Sequence, residues 1–392
     1  MKKIMIVCLL ALLAFSSCYR KPDLHLYWPE IEMQFPVVDL DLETYWDYEM
    51  NLGIDYDWRA EWYYGWDDED RRLFGELGYT EPSKFHLRRY YTGHVAGGHR
   101  LKRLEVFIEG KHYRDSYDWG FWDILAWNNV ETLDGIQSLR IDESNNYDED
   151  ITASTGQTMN NSRYHAPRYQ NSFYEPEQLF SALESAIDIN EDLRGFVYNE
   201  EENLWIRNLR LLLEPITYIY LPQVILHHNN GRISQIHEGR NLLAPANLSG
   251  LARSTSLNTG VTGKDAIAVS FNMRQKFDMD FKDGEKVDII GGRMMTFGIC
   301  GQNANRVSRA DEVNEIDPQH HYLDVTLHFS QVDMDSTLVF DVTDQVRQRY
   351  KGGVITVELD MDTVPNPNHD HGSGFDAVVK DFEEVNIPII DL

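Results

Sequence analysis

Cysteine is nearly absent from this chain, with only Cys8, Cys18 and Cys300 among 392 residues. Three cysteines cannot build a disulfide framework, so any domain here must be held by its core. Positive charge is also scarce. Thirty-six Lys and Arg face sixty-four Asp and Glu, a net charge of −28, and such a field repels phosphate backbones and argues against nucleic-acid partners. There is no Gly-x-Ser-x-Gly elbow, no phosphate-cradling glycine loop and no Cys/His spacing of a zinc site. No solenoid-length repeat occurs. Acid pairs for glycoside hydrolysis would have to sit roughly 5–10 Å apart in a cleft, and sixty-four acids single none out. The reading therefore assigns no enzyme activity, no catalytic residue, no cofactor and no metal site.

Long apolar runs are missing as well. The N-terminal one, Ile4 to Ala14, falls well short of the roughly 20 residues that cross a bilayer. With Lys2 and Lys3 before it and Phe15-Ser16-Ser17-Cys18 after it, it reads as a signal peptide over residues 1–17. A cysteine directly after two small residues points to lipoprotein processing, in which Cys18 becomes the acylated N-terminus. Ala14-Phe15-Ser16 also passes as an ordinary small-x-small cleavage site, so plain secretion stays open. Residues 18–36, with three prolines, read as the lipidated N-terminus and an extended tether.

From Val38 the even positions Val38, Leu40, Leu42, Trp46, Trp58, Trp62 and Trp66 carry an apolar face opposite an acidic one, a period of two. One strand over 38–66 would be too long for a small domain. The alternation therefore predicts two antiparallel strands folding back near Asn51 to Asp57. Asp67 to Asp70 and Asn145 to Asp150 lack calcium-loop spacing and read as solvated acidic turns. Strands are expected at Lys102 to Glu109 and Trp119 to Trp127, and a polar, exposed loop over 143–172. A helix is expected from Pro176, with Leu179, Phe180, Leu183 and Ile187 on one face. Leu209 to Leu213 and Ile216 to Leu226 read as strands covered on both faces. Leu323 to Phe329, Leu338 to Val342 and Ile355 to Met361 alternate as half-buried strands. The expected division is an N-terminal β-sandwich over 37–198 and a C-terminal one over 199–392, an all-β chain with one short helix.

The histidine pairs His227-His228 and His320-His321 point to opposite faces of a strand and cannot chelate jointly. His369-Asp370-His371 sits in a loop that could meet Asp360 or Asp362, but solvated histidines are the commoner case. Cys300 reads as a buried hydrophobe. Nine tryptophans leave Trp119, Trp122 and Trp127 as the candidates for an exposed stacking face.

Glu61-Trp62-Tyr63-Tyr64-Gly65-Trp66-Asp67, Leu226-His227-His228-Asn229-Asn230-Gly231-Arg232, Ala246 to Ala252, Phe340 to Val346 and Val354 to Asp362 resemble an uncharacterised family of outer-membrane lipoproteins grouped with fimbrillin-like adhesins. The resemblance implies two tandem transthyretin-like, antiparallel β-sandwiches behind a lipid anchor at Cys18, on either face of the outer membrane. It implies membrane attachment through that lipid and envelope or pilus proteins as partners, and carries over no catalytic residue. The rival reading, from tryptophan abundance, is a glycan-binding surface lipoprotein of a polysaccharide-uptake system. Asp335-Ser336-Thr337 and Asp362-Thr363-Val364 also match the short O-glycosylation signal of such bacteria.

Overall fold

The computed structural model describes residues 35–44, 53–54, 56–130, 137–158, 172–237, 240–301 and 319–367. The first half carries β1 (Val37–Thr44), α1 (Asp68–Phe74), β2 (Lys84–Gly93), β3 (Lys102–Glu109), β4 (His112–Ser116), β5 (Gly120–Asn128), β6 (Leu139–Asp142) and β7 (Thr152–Thr155). Then come β8 (Ser172–Tyr174), β9 (Phe180–Ile189), β10 (Val197–Asn199), β11 (Leu204–Pro215) and β12 (Tyr218–His227). The remainder is β13 (Ile236–His237), β14 (Arg240–Asn241), β15 (Ala244–Ala252), β16 (Ser254–Ser256), β17 (Ala266–Asp280), β18 (Lys286–Gly291), β19 (Met294–Thr296), β20 (Tyr322–Phe329), β21 (Met334–Asp341), α2 (Thr343–Gln348) and β22 (Gly353–Asp360).

An eight-stranded sheet runs β3-β2-β5-β9-β11-β1-β4, with β10 on β11. It turns a corner where β9 meets β11 through Phe180 and Ser181 only. The two layers close on Val38, Leu40 and Leu42 from one side and Phe85, Leu87, Trp122 and Ile124 from the other. A nine-stranded sheet, β19-β12-β18-β17-β15-β20-β21 with β22 on β12 and β8 on β17, closes a second core. The all-β expectation holds. Most pairings are antiparallel, and β1–β11, β8–β17 and β12–β22 are parallel.

β11 lies beside β1 in the first sheet. The chain changes sheet at Ile216 and Thr217. Strand β8, from the first half, joins β17, and β6-β7-β16 mixes both halves.

Three expectations are corrected. β1 is described to Thr44, with β11 on one side and β4 beside Val37 to Asp41 on the other, while Trp46 and the rest of 45–52 lie outside the described residues. Trp58–Ala60 is instead one 3-10 turn. The helix expected from Pro176 is strand β9. A bulge sets Ser185 and Ala186 opposite Asp123, and Ala186 takes φ +57°. The extra residue moves Ile187 onto the face of Phe180, which reproduces helical spacing in a strand. Among the described residues the α-helices are α1 and α2. The loop over 143–172 contains β7, whose Ala153 and Thr155 are buried. Residues 159–171 lie outside the described residues.

Candidate functional site

Between the two sheets lies the segment 53–79. Ile54, Trp58, Trp62, Tyr64, Leu77 and Tyr79 are buried in the first core cluster, which also takes Ile219, Leu221 and Ile225 from β12 and Ile289 from β18. Strand β12 is thus covered on both faces, because Tyr220, Val224 and Leu226 fill the second cluster. Gln223, fully buried in the same strand, takes the backbone of the segment. Its Oε1 accepts from the N–H groups of Tyr63 and Tyr64 at 3.0 and 3.2 Å, and its Nε2 donates to Glu61 O at 2.7 Å and Thr356 Oγ1 at 2.9 Å. Every polar valence of the amide is used, so its hydrogen bonds offset the cost of removing it from water.

Helix α1 opens on a capping box, with Asp70 N–H donating to Asp67 and Asp67 N–H donating to Asp70. Asp70 has no exposed surface. It accepts from the Tyr64 hydroxyl at 2.6 Å and meets Lys276 Nζ at 2.6 Å and Arg274 Nη1 at 2.8 Å. Arg274 and Lys276 are two apart on β17 and so share a face. Both also reach Asp67, at 2.9 and 3.1 Å, and the Lys276 ammonium sits 4.0 Å over the Tyr64 ring. Burial, and then the hydrogen bond to Asp70, push the Tyr64 hydroxyl far above the usual range. Burial alone would raise Asp67. The Asp70 N–H and the two cations outweigh it and hold the carboxyl well below the carboxylate range. Two acids and two bases pair with each other here and form a structural bolt. The reading of Asp67 to Asp70 as a solvated turn is corrected at Asp70, which is buried, while Asp67 and Asp68 are exposed. The Asp67-x-x-Asp70 spacing was the missed signal, a capping-box variant before a helical stretch.

Glu175 lies half-buried at the same junction, accepting from Met295 N–H at 2.8 Å. Burial lifts its carboxyl to about 7 against the opposing charge of Arg293. Burial lowers Arg293 in turn, and its Nε donates to Leu77 O at 2.8 Å.

Cys18, His369 and His371 lie outside the described residues. His227 turns to Glu285 at 2.8 Å while His228 turns to Asp360 at 3.0 Å, so the pair does diverge. His228, Asp360 and Asp362 form the described residues' one metal-capable group, all three exposed, with ligand atoms within 4.8 Å of each other. The Asp360 carboxylate raises the His228 pKa, as in a surface ion pair. His321 is fully buried and His320 exposed. Cys300 is buried. Trp58, Trp62, Trp122 and Trp127 are buried, and Trp66 and Trp119 pack partly buried on the first cluster. The tryptophans therefore offer no exposed coplanar pair among the described residues. Asp148 is tied to His99 and to Arg100 N–H. Ser336 is buried and Thr363 exposed, so only the second short glycosylation match is accessible.

One outward apolar surface lies on the β10–β11 hairpin. Val197 is 70% exposed, and Tyr198 and Trp205, directly cross-strand, are 42% and 41% exposed with ring centroids 5.2 Å apart. No helix among the described residues is long and apolar enough to cross a membrane.

No known family matches the sequence, and no curated protein does. Among solved structures, a candidate adhesin of Bacteroides ovatus is similar over 85% of this chain and 95% of its own, at 12% identity and a TM-score of 0.46. A candidate polysaccharide-binding protein of Bacteroides thetaiotaomicron is similar over 83% and 91%, at 8% identity and 0.39. The fimbrial anchor protein Mfa2 of Porphyromonas gingivalis is similar over 82% and 90%, at 9% identity and 0.38.

Proposed function

We propose that this chain is a lipid-anchored cell-envelope protein, adhesin-like or pilus-associated, that works by binding and not by catalysis. The observation that carries the reading is the β10–β11 hairpin. The Tyr198–Trp205 cross-strand pair stands in solvent on the first sheet, and an exposed aromatic pair of this kind supports a contact with another protein. Two or more acyl chains on Cys18, each contributing about 0.8 kcal/mol per buried methylene, would hold the protein stably at a membrane.

The test compares three forms expressed in a Gram-negative host: unaltered, Cys18→Ala, and Tyr198→Ala with Trp205→Ala. Fatty-acid labelling and membrane fractionation read the anchor, and recovery of envelope partners after crosslinking reads the hairpin. The expected result is loss of label and release only for Cys18→Ala, and loss of crosslinked partners with the anchor intact for the double variant. Equal labelling of all forms, or unchanged partners in the double variant, contradicts the reading.

A further inference from the structure

A row of rings crosses the outer face of the first sheet. Phe107 in β3, His86 in β2 and Trp127 in β5 occupy directly paired positions. The His86 ring stacks on Trp127 at 5.4 Å with 16° between planes, and the Phe107 ring meets His86 at 5.2 Å. Trp127 is buried as the floor, while Phe107 is 50% exposed. Beside the row opens a groove of about 600 Å³, walled by β6 and the residues around it, among them Gln137, Arg140, Asp142 and Glu143. Arg88, under 10% exposed, forks onto Glu143 and lies 4.8 Å from the Trp127 ring centroid.

We propose that this groove binds a neutral oligosaccharide, with the exposed Phe107 ring at its flank as the stacking face and Gln137, Arg140 and Asp142 as hydrogen-bonding partners for hydroxyls. The physical grounds are two. Aromatic faces take the C–H surface of a sugar ring, and planar amide, guanidinium and carboxylate groups pair with neighbouring hydroxyls. The charge of the groove is balanced, Arg88 and Arg140 against Asp142 and Glu143, in a chain of net charge −28. That balance suits an uncharged ligand and offers nothing to attract an acidic or a basic one. The stacking face is Phe107, beside the groove, so a tryptophan count does not reveal it. It rests on the reading of the chain as a binding protein and supplies the chemical class of one ligand.

The test is a glycan array followed by calorimetric titration of the purified chain with maltohexaose, cellohexaose, xylohexaose, mannohexaose and any further neutral saccharide the array retains. An oligogalacturonate serves as the charged control. Phe107→Ala and Asp142→Asn, both at exposed positions, are compared with Trp205→Ala on the distant hairpin. The expected result is saturable binding of a neutral saccharide, weakened at least about tenfold by either groove variant and unchanged by Trp205→Ala. No retained neutral saccharide, preference for the charged control, or binding indifferent to both groove variants overturns the proposal. A chain that takes no sugar but still loses its crosslinked partners on hairpin substitution leaves the adhesin reading standing and removes this one alone.

Discussion

Asp70 and Asp360 both lie within 3.0 Å of a basic side chain, at opposite extremes of burial. Asp70 has no exposed surface and touches Lys276, Arg274 and Tyr64. Asp360 sits on the rim of the second sheet beside His228, its side chain 47% exposed and its partner's 58%. The same chemistry does different work in the two places. In the dry junction each partner is the only solvation the other has, so removing one leaves charges stranded. On the rim, water replaces whatever is lost, and the pair contributes little. The junction therefore behaves as part of the fold's framework, and the rim as ordinary surface.

Replacing Asp70 with Ala should sharpen that contrast most. Arg274 and Lys276 would keep only the half-exposed Asp67 as a carboxylate partner, and a loss of about 3–5 kcal/mol in urea unfolding is expected; a loss no larger than that of a surface substitution would remove the distinction. Gly291→Ala comes next. A Cβ there would lie 2.4 Å from the Tyr64 ring, an overpacking expected to cost about 1–3 kcal/mol, and a neutral result would mean the segment does not sit tightly on β18.

Smaller again is a pH effect. The folded Glu175 carboxyl is raised to about 7, against about 4.3 when unfolded, so the folded state holds a proton that the unfolded state releases first. Stability attributable to this group is therefore full at low pH and declines as pH rises from about 4 to 7. Glu175→Gln should flatten that part of the stability profile and leave the chain more stable than the parent above pH 7. An unchanged slope would contradict the assignment. Smallest of all is Asp360→Asn, which should leave the unfolding midpoint in place while the NMR titration of His228 moves down toward the ordinary histidine value. A midpoint shift comparable to that of Asp70→Ala would erase the comparison.

Much of the fold was legible because half-buried strands print a period of two. Lys102–Glu109 is a strand to the residue, and Leu323, Val325, Leu327 and Phe329 do share a buried face. Strand β9 was not legible, because its bulge at Ser185 and Ala186 shifts the parity and imitates a helix. The Trp58–Trp66 stretch failed differently. Its tryptophans are buried or partly buried by stacking on one another around a 3-10 turn, with Trp58 and Trp62 centroids 5.5 Å apart, so burial was foreseeable and strand geometry was not. The bolt at Asp70 needed partners more than 200 residues away, a distance no local pattern spans. The address at Cys18 remains the part of the reading carried by sequence alone.

The central claim is that residues 53–79, although they belong to the first half of the chain, are fastened energetically to the second sheet. Hydrogen exchange compared between the parent and Asp70→Asn tests it most directly. The account predicts faster exchange together in residues 61–72 and in β17 and β18, with the amides of β2 and β3 unchanged. Loss of protection confined to 53–79, with β17 and β18 untouched, would contradict it.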